Sequence, residues 1–416
     1  MILSILSNLK PLILFIYYFI MILEVNFEKN LDVCAFFEQG HDVNVILSKL
    51  AAYYNVSIEP EKTLLFFDEI QSCMQAIESL RFFWEDMPEL HVIGAGSLLE
   101  FTLQDIPTFA VGRIRSLYMY PMSFDEFLNA TGNASLISMK KNADSDKPLD
   151  EVFHNKLVQL FRDYIMIAGM PEAVAEWVDT NDYLKVSLIH DDIVTGYEHD
   201  FSKYKKRIKP DLLRLTLNSV VHQTGQKFVY SRVSEEYNSS QIKEALRLLT
   251  LAGLITPVIH TSANGLPLDS EQNNRYVKYL YLDPGLLLRI LGIETGNQEN
   301  IRKKLLLAST AELVNKGSIT EMFAGCELIK YHAESHNRRL HYWVRTEKNS
   351  TAEVDYIIVK DGIITPVEVK AGTKGGMKSM YMFLNKKGLQ KGHASYHDGK
   401  WKYFSLLLPS VQSSAA

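Results

Sequence analysis

The sequence predicts an α/β protein, and three observations carry that expectation. Short apolar runs alternate with stretches of helical spacing near the amino terminus and again after residue 300, the pattern of a parallel sheet covered by helices. The run "TLLFF" (63–67) is continuously apolar, as a strand buried on both faces should be. Asp361-Gly362 stands between two apolar runs, the strongest short signal for a hairpin with a two-residue turn.

A chain of 416 residues is long enough for several domains, each with its own core. At 47% hydrophobic and 22% charged it is globular, and a net charge of −5 leaves no global signal for nucleic acid or a membrane surface. Cys34, Cys73 and Cys326 have neither metal-ligand nor disulfide spacing, so the default compartment is the reducing cytoplasm. The apolar run from Leu12 to Leu23 has three readings: a buried strand behind an irregular leader, a membrane anchor, or a secretory signal. The first is expected, because a span wants about 20 apolar residues. A secretory signal wants an early basic region and a small-residue cleavage site, which this run lacks. The alternative localisation is membrane association through residues 1–23.

In order along the chain, "IMILEVNF" is a strand and "VNVILSKLAAYYNV" a helix with Val45, Ile46, Leu50 and Tyr53 at helical spacing. Then come the strand "TLLFF", the helix "MQAIESLRFFWED", the short strand "LHVIGAG" and a further strand in "GRIRSLYMYPMSF", stopped by Pro121. Residues 131–205 read as helical with a break at "AGMPEA". "SSQIKEALRLLTLAG" begins with a serine cap, ends at Gly253 and gathers Ile242, Ala245, Leu246, Leu249 and Ala252 on one face. The strands "GLITPVIHT" and "RYVKYLYL" follow, giving the helix–helix–hairpin order of a winged helix. After residue 300 "LLLASTAELVNKGSITEMFAGCELIKYH" is expected to be helical, with an interruption at Gly317, and the strands "LHYWVR", "AEVDYIIV" and "ITPVEVKA" follow.

The two-residue turn fixes the register of the last two strands. Each step back from Asp361 matches a step forward from Gly362, so Asp355 faces Glu368 and Glu353 faces Lys370. Opposed residues, and residues two apart on one strand, share a face, which therefore collects Asp355, Glu368 and Lys370. Opposed carboxylates repel, and Mg²⁺ bound through Asp355 and Glu368 would remove that cost. Lys370 would give positive charge to a phosphate or orient the attacking water. This D…ExK arrangement resembles the restriction-endonuclease-like fold. A helical acid often precedes such strands: Glu321 is the candidate and Glu327 the runner-up, six residues on and about 120° round the helix. The plainer reading is a charged ladder on an edge hairpin.

In "LLFFDEIQ" an apolar strand ends in Asp68-Glu69. Asp68 would hold Mg²⁺ through water and Glu69 would polarise an attacking water. Ser97, after the next strand, would contact the γ-phosphate, and Arg113 would face a nucleotide of its own or a neighbouring subunit as an arginine finger does. Each also has a simple reading: a helix cap, a turn residue, a surface charge.

The ordered set "LLFFDEIQ", "HVIGAGSLLEF", "VGRIRSLYMYPMSFDEF", "AGMPEAV", "YEHDFSKY", "YLYLDPGLL" and "AEVDYII…PVEVKAG" resembles the bacterial and archaeal AAA-type ATPases with a trailing domain of unknown function. The resemblance spans residues 22–400. It implies a P-loop AAA-type sheet, a winged-helix-like connector and a PD-(D/E)XK nuclease-like domain, with ATP and Mg²⁺ as cofactors, nucleic acid as partner and a homo-oligomeric ring as the assembly. One departure is large. The family's Walker A loop, G-x-x-x-x-G-K-[ST], is absent; Gly-Lys occurs only at Gly399-Lys400, before Trp401. A strand, loop and helix of about 30 residues are expected to be missing ahead of "IMILEVNF", as in a truncated or misread start. The Walker A lysine and amides make most of the phosphate contacts, so their absence weakens ATP binding.

The expected parts are an apolar leader (1–21), an AAA core without Walker A (22–130), a helical lid (131–208), a winged-helix-like unit (209–298) and the nuclease-like domain (299–416). The basic run "SKYKKRIKP" offers a phosphate-backbone contact or a solvated linker face, and the winged-helix candidate shows few positive charges beyond Lys243 and Arg247. Three functions from different classes follow. The first is an ATPase with a Mg²⁺-dependent nuclease-like site, the second a non-catalytic nucleic-acid or protein interaction module, and the third a defective, truncated product.

Overall fold

The structure is a computed structural model. It describes residues 21–38, 40–96, 112–143, 147–205, 207–292, 316–331, 339–345, 352–360, 362–369, 377–389 and 393–395. The apolar leader, Ser97, Asp361 and Lys370 lie outside the described residues. No helix among those described is long and apolar enough to cross a membrane. The chain divides into two compact units, one ending at Tyr118 and one beginning at Met119.

The first unit holds a parallel sheet of β1 (Met21–Asn26), β2 (Thr63–Asp68) and β3 (His91–Gly94), in that spatial order. β1 alternates, burying Leu23 and Val25, whereas β2 buries Leu64 and Leu65 in succession, as the central strand of the three must. Helices α1 (Val43–Tyr54) and α2 (Met74–Asp86) supply the crossovers that parallel pairing requires. The Asp42 carboxylate caps α1 by accepting the amides of Asn44 and Val45. The buried stripe of α1 is Val43, Ile46 and Leu50; Val45 and Tyr53, expected on the apolar face, are exposed. Phe27, Phe37, Phe67 and Phe83 meet edge to face in the core. The strand expected in "GRIRSLYMYPMSF" does not form among the described residues: 114–120 join no ladder, and Leu117, Tyr118 and Met119 are exposed. Apolar alternation without a sheet neighbour leaves the backbone groups unpaired, so the pattern alone makes no strand.

The second unit opens with helices α3 (Phe124–Ala130), α4 (Ala134–Asn142), α5 (Glu151–Ile167), α6 (Pro171–Thr180) and α7 (Tyr183–Asp200). The break between α5 and α6 is the expected one, with Pro171 at the first helical turn. α8 (Pro210–His222) and α9 (Ser239–Leu251) follow. Asn238, not a serine, caps α9, in a reciprocal capping box with Gln241. Ile242, Ala245, Leu246 and Leu249 are buried on the expected face, and Gly253 takes the left-handed conformation after the helix, with φ +71°.

The hairpin β4 (Ile255–Thr261) and β5 (Gln272–Tyr281) is not a free wing. β4 also pairs in parallel with β6 (Leu340–Val344), and the sheet continues through β7 (Glu353–Lys360) and β8 (Ile363–Val369) to β9 (His393–Ser395), in the order β5-β4-β6-β7-β8-β9. Helix α10 (Pro284–Ile290) follows β5, α11 (Lys316–Tyr331) precedes β6, and α12 (Lys378–Lys387) follows β8. Side chains alternate across the sheet, so neighbours on β6 face different helices. Trp343 packs on Phe383 of α12, while Tyr342 lies under Lys278, which bonds to α11.

Candidate functional site

At the carboxyl end of β2, Asp68 sits beside Asn26, its register partner on β1, which donates from Nδ2 to Asp68 Oδ2 at 2.6 Å. The other Asp68 oxygen accepts the amide of Glu69 at 3.1 Å, and Gln71 donates to Glu69 Oε2 at 2.5 Å. Glu69 adopts the left-handed conformation, φ +50°, which turns the chain sharply off the strand. Both acids are partly exposed at the strand ends, where ligands bind in open parallel sheets. Arg113 is elsewhere. It pairs with Glu85 at 2.5 Å, at the far end of α2, a helix whose 13 residues carry the chain about 20 Å back toward the amino ends of the strands. This pairing and the hydrogen bond from Arg81 hold Glu85 below the usual carboxylate range, the Arg81 bond contributing most. The structure thus joins Asp68 with Glu69 and does not bring Arg113 to them within the unit.

The second site is built on the last sheet. The expected register holds: Tyr356 pairs with Val367, Ile357 with Pro366, Ile358 with Thr365, Val359 with Ile364 and Lys360 with Ile363. Gly362, at φ +75°, occupies a turn position that favours glycine. The ladder ends one step short of Asp355 and Glu368. There the Asp355 carboxylate takes the Val369 amide at 2.6 Å, and β8 goes on to pair with β9.

On its other side β7 carries a bulge. Trp343 pairs with Val354 and His341 with Ile357, so Asp355 and Tyr356 together oppose Tyr342. The bulge explains why both residues reach α11. The Tyr356 hydroxyl donates to the Glu321 carbonyl at 2.7 Å, and a Cβ at Gly325 would lie 2.4 Å from that hydroxyl, so only glycine admits it. One carboxylate oxygen each from Glu321, Glu353 and Asp355 come within 4.8 Å of one another, a group able to hold a metal ion. Glu368, 2% exposed, is not one of the three.

A cation already stands among these acids. Lys278 of β5, its side chain 3% exposed, donates to Glu321 at 2.7 Å and closely to Glu353, and lies 5.0 Å from the centre of the Tyr342 ring. Burial works to lower the Lys278 pKa, yet the charges of Glu321, Glu353 and Asp355 outweigh it and raise the value. Burial pushes Glu321 up to about 8, with Asp355 and Glu353 adding to the rise and Lys278 opposing it.

The runner-up helical acid is committed elsewhere. Glu327 is fully buried and accepts from the Phe124 amide, the Tyr164 hydroxyl and Lys330, tying α11 to α3 and α5. Sequence reasoning named Glu321 and Asp355 but missed Glu353 and Lys278 as partners. Glu353 was signalled by standing two residues from Asp355 on one strand. Lys278 was signalled by the one charge inside the run "YVKYLYL".

Comparison with known proteins gives three partial matches. Residues 13–128 match a family model described as an AAA domain. Residues 158–297 and 316–401 match two models described as domains of unknown function, DUF8612 and DUF4143. No curated protein and no solved structure matched the chain. The amino-terminal region is therefore similar to the P-loop AAA domains, in keeping with its parallel sheet.

Proposed function

From an AAA-like amino-terminal region as premise, we propose an AAA-type protein whose second unit acts on nucleic acid through a Mg²⁺-dependent phosphodiesterase site centred on Asp355. The observation that carries this reading is the gathering of Glu321, Glu353 and Asp355 to within 4.8 Å where the β7–β8 ladder parts. An all-oxygen donor set suits a hard divalent cation. In this reading Asp355, Glu321 and Glu353 hold the ion, the neighbouring Glu368 backs it, and Lys370 supplies positive charge to the phosphate. The ion's chemistry would be to activate water and neutralise developing charge on the phosphate.

For the first unit the proposed ligand is Mg²⁺-ATP at Asp68 and Glu69, with Ser97 at the γ-phosphate. Arg113 would serve a neighbouring copy in a homo-oligomer, because α2 carries it away from its own Asp68. These 416 residues contain no Walker A motif, so the proposed ATP affinity is weak.

A second reading draws on Lys278. Its pairing with Glu321 and Glu353 favours a non-catalytic interaction module in which a lysine has replaced the ion. One experiment separates the two. Incubated with circular DNA and Mg²⁺, the wild type should cut and Asp355→Ala should not. Equal cutting by both proteins would mark a contaminant and end the phosphodiesterase reading.

A further inference from the structure

We propose that Lys278 is a resident cation that competes with a divalent ion for Glu321 and Glu353 and so sets the metal affinity of the site. The inference rests on the metal-binding reading of Asp355 given above. Lys278 arrives from β5, 43 residues before Glu321 and 75 before Glu353, so its placement is a product of the tertiary fold. Its side chain is 3% exposed, against 12% for Glu321 and 37% for Glu353, so the ammonium is more deeply buried than either acid it binds.

A lone buried ammonium would be costly, and the half-buried carboxylates around it make it tolerable. A divalent ion entering between Glu321 and Glu353 must meet the same oxygens and the same positive charge. Two cations cannot share those oxygens without strong repulsion, so the ammonium gives way or the ion is held weakly. The ammonium already lies over the face of Tyr342, 5.0 Å from the ring centre, a contact that does not depend on the carboxylates. Asp355 is differently bound. One of its oxygens takes the Val369 amide at 2.6 Å.

The test is a Mn²⁺ titration of the full chain, wild type and Lys278→Met, with free Mn²⁺ read by electron paramagnetic resonance. Lys278→Met keeps the length of the side chain and removes its charge. Its Kd for Mn²⁺ should be at least tenfold lower than that of the wild type; binding no tighter than wild type overturns the proposal. Should Lys278→Met fail to fold, the wild type decides through acetic anhydride labelling read by mass spectrometry. Millimolar Mn²⁺ should raise labelling of Lys278 severalfold, and unchanged labelling overturns the proposal. The phosphodiesterase reading fails separately, through Asp355→Ala cutting as well as wild type. Tight Mn²⁺ binding by Lys278→Met with no cleavage by either protein would sustain the role of the lysine alone.

Discussion

At the carboxyl end of β2, Asp68 and Glu69 are partly exposed and answered by neutral amides, those of Asn26 and Gln71. On the last sheet, Glu321, Glu353 and Asp355 are answered by a lysine that is almost wholly buried. The difference lies in solvation. Water already stabilises the first pair, so it needs no internal counter-charge and is ready for an incoming cation. In the second group the charge most withdrawn from water is that of Lys278, 3% exposed against 12% for Glu321 and 37% for Glu353, and there an uncompensated charge is expensive, so lysine and acids answer one another.

The largest effect that would break this contrast is the loss of Lys278. In urea unfolding without metal, Lys278→Met should lose about 3–5 kcal/mol, the cost of stripping a buried charge of its partner. Adding Glu321→Gln should recover part of that loss, because the pair is coupled; strict additivity of the two would contradict the contact.

A smaller effect comes from acid. Burial lowers the pKa values of His190, His260 and His341 below 6.5. Asp283 and Asp191 pull the value of His190 back up while Arg289 lowers it, and Asp269 raises that of His341. The unfolded chain then takes protons that the folded chain refuses, so stability is complete above 6.5 and falls as pH drops through the folded values. His190→Gln should lose less Tm than wild type between about pH 7.5 and 5.5; an equal loss would remove His190 as the cause. The smallest effect is expected at the exposed pair. Asp68→Asn should change stability by no more than about 0.5 kcal/mol, read from the urea midpoint, and a larger loss would show that the contrast in solvation is misdrawn.

Local rules carried much of this structure. A two-residue turn dictates register by itself, so Asp361-Gly362 placed Tyr356 against Val367 without knowledge of the rest. Continuous apolarity identified β2 as buried on both sides, and spacing placed α9 to within a residue. What failed depended on distant partners. The run near "RIRSLYMY" has the composition of a strand but no described neighbour to pair with. The hairpin of β4 and β5 reads locally as a wing, and only the parallel pairing with β6 makes it part of the larger sheet. The acid site was half legible for the same reason. Asp355 and Glu321 stand in recognisable local settings, whereas a bulge opposite Tyr342 and a lysine from another strand complete the group.

The distance in sequence between Lys278 and Glu353 also matters during synthesis. β4 and β5 can form their hairpin as soon as both have left the ribosome, but β4 must wait for β6 and Lys278 for Glu353, 75 residues later. At roughly 5–20 residues per second that interval lasts roughly 4–15 s. Throughout it the nascent chain presents a hydrophobic strand with one open edge and an amine that lacks at least one of its acids. Such a nascent chain is a natural client for a chaperone, and the sheet closes late in the life of the growing polypeptide.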